Sequence, residues 1–383
     1  MYFVTFLLKN LLRRKTRSLL TVLGLAVAVG TMVTLRGVSE GFERSFVENF
    51  ERRGVDLVVT ASGVPDQLRS DLDQRIARRI EQIPGVRRAT PGLLELVDVE
   101  RKGSVLSVLV NGWEPDSPLF NDLTILSGRA LCADDHRAIL LGVSLAENLN
   151  KGVGDTVDMQ RETFKVAGIY RSYTVFENGG VVMELAELQQ LMARPNSVTG
   201  ITVVLQPSED REARRESVRS TIESLADERG RRYRIAAQPT RQYVTGSLHI
   251  QLAHGMAWLT SAIALVIGAI SMLNTMIMSV MERTKEIGIL RAVGWRRFRV
   301  VRMVLGEALL LSGVGAVLGI AVAVAVIRIL AQVPQTSGFV SGEVAPAVVL
   351  EGVLLTLLVA LIGGGYPAAR AARLLPTEAL RHD

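Results

Sequence analysis

The sequence predicts an α-helical membrane protein: four transmembrane helices and an α+β extracytoplasmic domain of two lobes. Three observations carry this. Four apolar runs, Leu19–Val38, Trp258–Met281, Leu305–Leu330 and Ala347–Tyr366, each reach the length a spanning helix needs, about 20 residues at 1.5 Å rise across roughly 30 Å of hydrocarbon. Basic residues crowd the ends of these runs on one side only. Between the first and second runs lies a long segment, Ser39–Gln251, with strand and amphipathic-helix patterning.

Residues 1–17 read as an amphipathic helix at the inner membrane interface, apolar at Tyr2, Phe3, Val4, Phe6, Leu7 and Leu8 and basic at Lys9, Arg13, Arg14, Lys15 and Arg17. The first span, 18–38, competes with a cleaved signal peptide, because Ala26-Val27-Ala28 imitates a cleavage site. The apolar run continues to Leu35, which favours an uncleaved anchor. The other spans are taken as 258–281, 305–330 and 347–366. Basic clusters precede the first span, join the second to the third (282–302) and follow the fourth (367–383, with Arg370, Arg373 and Arg381). The loop between the third and fourth spans, Ala331 to Pro346, has Glu343 and neither Lys nor Arg. The positive-inside rule therefore puts both termini in the cytoplasm.

The segment 39–251 holds 27 basic and 31 acidic side chains, so the overall charge of +6 belongs to the membrane flanks. That distribution suits anionic lipid headgroups and argues against nucleic-acid binding despite the high pI. Cys132 is the one cysteine, so no internal disulfide forms, and no ligand spacing for zinc is present. His249 and His254 are expected to be interfacial or stalk residues.

Within 39–251, Glu40 to Arg53 continues the first helix as a stalk. Val55–Val59 predicts a strand, and Asp66 to Ile83 a helix with Leu68, Leu72, Ile76 and Ile80 on one face before Pro84-Gly85. Val86 to Val110 alternates as two strands around a Lys102-Gly103 turn. Leu123 to Ile169 reads as short strands with one helix near Ser144–Leu149 and a turn at Val153-Gly154-Asp155. A strand at Thr163–Tyr170, a helix at Leu185–Ala193, a strand at Thr199–Leu205 and a helix at Glu209–Arg229 with Val218, Ile222 and Leu225 inward follow. A second stalk starts near Arg241, and the lobes part near Gly112–Asn121.

In the membrane part, Gly315 and Gly319 form a small-residue pair suited to tight helix packing. Arg36 and Arg328 sit near outer span ends, where snorkelling is the plain explanation. Glu307 is placed to pair with an arginine of the basic loop, and Asn274 to make an interhelical hydrogen bond.

The segment 282–302 is the principal candidate site. It is short, basic and carries an apolar set, Ile287, Leu290, Ala292 and Val293, read as one helical face. Topology alone needs only the charges; the apolar positions suit docking of a soluble partner. At these residues the chain resembles the ABC permeases of the MacB, FtsX and lipoprotein-releasing type: ERTKEIGILRAVGW matches their cytoplasmic segment, and Tyr366 to Arg381 their closing signature. Leu126-Ser127-Gly128-Arg129, Ile139-Leu140-Leu141-Gly142, Val153-Gly154-Asp155 and Phe164–Ile169 follow the order of their MacB-like periplasmic core domain.

The resemblance implies a multi-pass bacterial inner-membrane permease working as a homodimer or with a paralogous permease, sometimes with a periplasmic adaptor. Glu282, Arg283, Lys285, Glu286, Gly288, Arg291, Gly294 and Trp295 would couple it to a separate ABC ATPase; Trp295 stands where the family usually has a small residue. ATP and Mg would be bound by that ATPase, with no cofactor on this chain. Lys15 is the one lysine followed by a hydroxyl residue, and Arg14 occupies the glycine position a P-loop requires. The implied activity is mechanotransmission for export or extraction of a hydrophobic or amphipathic substrate. The alternative is a non-transporting regulator of an extracytoplasmic enzyme, as in the FtsX type. A membrane enzyme is disfavoured, since Asp134-Asp135-His136 reads as a surface loop.

Overall fold

The protein is described from a computed structural model covering residues 15–64, 66–101, 104–132, 134–173, 175–227, 229–332 and 343–374. Residues 1–14, the Lys102-Gly103 turn, most of the loop before the fourth span, and the tail with Arg381 lie outside the described residues. The chain divides into a helical unit (Met1–Glu40, Ala253–Ile329, Gly342–Asp383) and a sheet unit (Gly41–Leu252, Leu330–Ser341).

Among the described residues, four helices are long and apolar enough to cross a membrane: α1 (Lys15–Arg52), α8 (Leu248–Glu282), α10 (Arg297–Gln332) and α11 (Pro346–Arg373). The glycine pair on α10 is a packing face within the chain. A Cβ on Gly319 would stand 2.6 Å from the Ala26 carbonyl oxygen, and one on Gly315 2.8 Å from the Leu25 Cβ. The two helices therefore approach backbone to backbone, which only small residues permit. Polar contacts add to this. The hydroxyls of Thr21 and Thr275 share a hydrogen bond of 2.8 Å, whereas Asn274, the expected bonder, is exposed one position earlier on the helix. Arg36 is held inside its unit, 3.3 Å from the Glu351 carboxylate and 5.1 Å above the Trp258 ring, so pairing replaces free snorkelling; Arg328 is exposed.

The sheet unit is built on one sheet in the order β12-β1-β11-β3-β4-β9-β6-β8-β5, with β7 paired to β3 and β8. The strands are β1 (Leu57–Ala61), β3 (Val86–Arg101), β4 (Ser104–Trp113), β5 (Thr124–Gly128), β6 (Ala138–Gly142), β7 (Thr156–Met159), β8 (Glu162–Arg171), β9 (Val181–Glu184), β11 (Gly200–Leu205) and β12 (Ile235–Pro239). The lobes are the two ends of this sheet. Residues up to Gly112 and after Glu184 build one end, and the stretch between builds the other; the parallel β4–β9 pair joins them. Alternation sets the faces: Ile201, Val203 and Leu205 are buried on one side while Gly200, Thr202 and Val204 point to the other. The buried side is covered by α2 (Arg75–Glu81), α3 (Val143–Leu149), α5 (Leu185–Leu191) and α6 (Arg211–Glu223) through Ile76, Ile80, Leu145, Leu188, Val218 and Ile222.

Two helix expectations are corrected. Asp66–Ile83 is a single turn at Gln67–Arg69, a short strand β2 (Leu72–Asp73) and then α2. Polar side chains claim the backbone there. Asp66 accepts from the Leu68 N–H, the buried Ser70 hydroxyl from the Ala61 N–H, and Asp73 from the Arg75 N–H, while Leu72 pairs with Val198 of β10 (Ser197–Val198). The Glu209–Arg229 helix is shorter, Arg211–Glu223, because Ala226 bridges to Arg232 and turns the chain back. The second stalk is also not continuous: α7 (Thr240–Gly246) ends where Ser247 is extended.

The four ordered motifs of the sequence converge on β8. β5 pairs with it antiparallel and β6 parallel, and the turn before β7 bonds it through Gly154 N–H to Val166 O at 2.8 Å and Val166 N–H to Asp155 O at 2.9 Å. Gly142 has no room for a side chain, since a Cβ would lie 2.3 Å from the Asn178 carbonyl oxygen. That oxygen belongs to α4 (Val175–Asn178), whose Glu177 anchors the last turn of α1. The Glu177 carboxylate accepts two hydrogen bonds of 2.9 Å from Arg53, one of 3.1 Å from Asn49 and one from the Ser172 hydroxyl. Tyr170 donates to the Glu177 carbonyl at 2.6 Å, and its burial pushes the phenol well above its ordinary range.

Replacing Gly319 by Leu forces α1 and α10 apart and is expected to cost roughly 1–3 kcal/mol of stability. Gly313→Leu, where a Cβ meets nothing within 4 Å, should cost nothing measurable. Thermal denaturation of both variants in lipid nanodiscs compares them, and equal losses would contradict the packing described.

Candidate functional site

The candidate site is the connection between α8 and α10. A short helix, α9 (Thr284–Ala292), fills it. Arg283 breaks α8 with φ −106° and ψ 15°, and α9 starts at once. Glu286 lies in its first turn and Arg291 in its last, both favourable to the helix dipole. The helix closes on Gly294, whose φ of +101° excludes other residues at little cost only to glycine. The Trp295 N–H reaches the Leu290 carbonyl at 3.0 Å and the Gly294 N–H the Arg291 carbonyl at 3.1 Å, a Schellman closure.

Two ion pairs tie this connection to the bundle. Arg17 of α1 donates two hydrogen bonds, 2.9 and 2.8 Å, to the partly exposed Glu282 carboxylate. Arg283 and Glu307 of α10 pair at 3.2 Å with side chains only 10% and 9% exposed. The glutamate of the third span and an arginine of the loop thus meet as expected. Ile287 is buried in the bundle core beside Met276, Val280 and Met303, and Gly288 is buried with it.

The apolar set read from the sequence does not form one face. Ile287 and Ala292 are five residues apart, about 140° around a helix, so they point to different sides. Ile287 and half-buried Leu290 turn inward, whereas Ala292 and Val293 are exposed. Val293 follows Ile289 by four residues, and the two are 78% and 52% exposed; Phe298 at the start of α10 is 72% exposed. The sequence reading missed Ile289 and Phe298. The i, i+4 spacing of Ile289 and Val293 was the available signal. Lys285, Glu286, Arg296, Arg297 and Arg299 of the same connection are exposed too. Arg291 is half-buried with its Nε enclosed, and Trp295 packs against the bundle core, so its ring lies on the inner side and not on the exposed patch.

The closing motif of the sequence comes to the same place. Pro367, Arg370 and Leu374 of the α11 end face Glu282, Thr284 and Lys285 across a groove of about 460 Å³. The site can therefore present an apolar centre with a cationic surround. Among the described residues it offers no arrangement of nucleophile and base. Among the described residues no cluster of three or more His, Cys, Asp or Glu suits a metal. Asp135 is a structural carboxylate: Arg129 grips it with two hydrogen bonds of 2.5 Å and the Cys132 N–H adds one of 2.8 Å. The Arg129 hydrogen bond holds its pKa down at about 2. His136 beside it is exposed, 3.6 Å from Glu187.

Comparison with known proteins agrees with these motifs. Residues 18–221 match the MacB-like periplasmic core domain and residues 258–376 the FtsX-like permease C-terminal domain. An uncharacterised ABC transporter permease of Methanocaldococcus jannaschii is 25% identical over 99% of this chain and 98% of its own. The permease YknZ of Bacillus subtilis is 23% identical over 98% of each. The macrolide export ATP-binding/permease protein MacB of Bdellovibrio bacteriovorus is 24% identical over 98% of this chain, which spans 61% of that protein.

Removing one partner of the Arg283–Glu307 pair strands a buried charge. Arg283→Ala is expected to lose roughly 3–5 kcal/mol, and Arg283→Met combined with Glu307→Leu to recover most of it. Denaturation midpoints of the three proteins in nanodiscs check this. The Asp135 clasp has its own pH signature. Its pKa is depressed, so its contribution is complete above the unfolded carboxylate value and is lost as pH falls through about 2. The Cys132 amide resonance should stay fixed from neutral pH down to the unfolded carboxylate range and move only below it. Movement centred on an ordinary aspartate pKa would contradict the clasp.

Proposed function

This chain belongs to the ABC transporter permeases of the MacB and FtsX type, and we propose that it converts ATP hydrolysis on a separate ATPase subunit into movement of its sheet unit outside the membrane. The work done is export or extraction of a hydrophobic or amphipathic substrate such as a lipid, lipoprotein or drug-like molecule. ATP and Mg belong to the partner; this chain contributes docking and transmission. It acts as a homodimer or beside a paralogous permease, with a periplasmic adaptor as a further partner.

One observation supports the reading most: α9 is anchored on its inner side and apolar on its outer side. Ile287, Gly288 and the Arg283–Glu307 pair fix it to α8 and α10, while Ile289, Val293 and Phe298 stand exposed among bases. A docked partner that moves α9 must move the helices it is bonded to. Exposed apolar groups ringed by charge have the make-up of a protein interface, apolar at the centre and polar at the rim. The same bases orient the chain with both termini in the cytoplasm of a bacterial inner membrane, which puts α9 on the nucleotide side and residues 39–251 on the other.

Val293→Asp places an unpaired charge at the patch centre without touching the buried side. In liposomes holding the permease and its ATPase, it should remove most of the permease-stimulated ATP turnover, about tenfold or more for a loss of some 1.4 kcal/mol at a hot spot. Undiminished stimulation with intact folding would refute docking at this surface.

A further inference from the structure

We propose that the sheet unit holds a binding site for a neutral, single-ring aromatic group between the sheet and its two stalk segments. This goes beyond the transmission role, which neither needs nor predicts it. A cavity of about 130 Å³ lies on the sheet face opposite the main core. Its floor is formed by β1, β3, β4 and β11; its roof is the aromatic cluster Phe46, Phe50 and Tyr243 from the end of α1 and from α7. Trp113 closes one side.

The floor explains why space remains. Strand register sets Gly200 opposite Gly92 and Gly92 opposite Trp113, so this cross-strand row lacks side chains at two adjacent places. Gly92 lies inside β3 and Gly200 opens β11; glycine inside a strand weakens it and marks a bulge, a bend, or a close approach by a ligand or another backbone. Neither glycine has a backbone conformation that demands it, and neither is forced by crowding. A Cβ on Gly92 would find Trp113 at 3.8 Å, and one on Gly200 the Val59 carbonyl at 3.5 Å, both ordinary contacts. A methyl group at either place would strengthen the sheet and reduce the void. The opening is a cost that a guest offsets.

The walls define the guest. An apolar cavity of about 150 Å³ takes benzene, so this one fits a single ring. Aromatic walls favour edge contacts to a ring, and Phe50 and Tyr243 already meet edge to face at 5.9 Å. The charge nearest the site is neutralised: Arg53 lies 5.3 Å over the Trp113 ring and is bonded to Glu177. Tyr243 is driven to a pKa of about 12 by burial, which marks the roof as a poor place for an ion. Thr90 and Asn111 place a hydroxyl and a carboxamide on the lining for one polar substituent. A neutral ring with a hydroxyl is the class that satisfies all of these.

The test uses the full chain in nanodiscs and p-cresol as the probe. In a Cys132→Ser background, Gly200→Cys puts a thiol on the cavity floor, and its reaction with a small neutral thiosulfonate is timed. Occupancy at four times the dissociation constant slows that reaction about fivefold. In the unsubstituted protein the exposed Cys132 serves as the reference and should react at an unchanged rate with and without p-cresol. Adding Gly92→Val fills the cavity and should abolish the protection. If Gly200→Cys does not fold, Thr202→Cys on the adjoining row replaces it. No slowing at the floor thiol, equal slowing at both thiols, or protection that survives Gly92→Val each overturns the proposal.

Discussion

The helical unit depends on a buried ion pair, Arg283 with Glu307. Both charges sit where water is scarce, so each is tolerable only with the other in place. The pair fixes the point where α8 stops and α9 starts against the first turns of α10. Ile287 then inserts into the core below it, and the Gly294 closure returns the chain into α10. A connection of this length would otherwise be a solvated loop. With the pair made, it is a short helix of the bundle, and its remaining side presents Ile289 and Val293.

The sheet unit is organised differently. Its ladder has one continuous path, and the motif-bearing segments gather on β8. The same end of the sheet carries the stalk contact. There the Glu177 carboxylate collects Arg53, Asn49 and Ser172, so the last turn of α1 is fixed to α4 by a carboxylate whose lone pairs are well used. The same stalk turn supplies Phe46 and Phe50 to the cavity roof. Stalk, ion network and cavity are thus one packed region of the sheet unit, and a guest in the cavity would stiffen the contact between stalk and sheet.

Periodicity and charge made most of this legible in advance. The four spans, the long strands β3 and β4, and β8 with its alternating burial follow directly from apolar runs and period-two patterns. The Arg283–Glu307 pair was foreseeable because an acid near a span end beside a basic loop has few other partners. Three features were not legible, for separate physical reasons. Asp66–Ile83 has perfect helical spacing, yet Asp66, Ser70 and Asp73 bond the backbone locally and Leu72 is recruited by a distant strand. The faces of α9 depended on which of two apolar sets the bundle would accept, and a nine-residue helix gives too few turns to decide. β9 and β12 are short strands whose pairing is long-range, so their burial is a property of the sheet and not of their own sequence.

Transmission requires α9 to be a fixed part of the helical bundle and not a solvent loop that orders only on meeting a partner. Hydrogen exchange of the purified chain in nanodiscs, without any ATPase, measures this directly. Slow exchange at the amides of Ile287 through Trp295, comparable with the neighbouring turns of α8 and α10, is the predicted result. Exchange of those amides at the rate of an unstructured peptide would contradict it, because a segment that opens freely cannot carry displacement into the helices on either side.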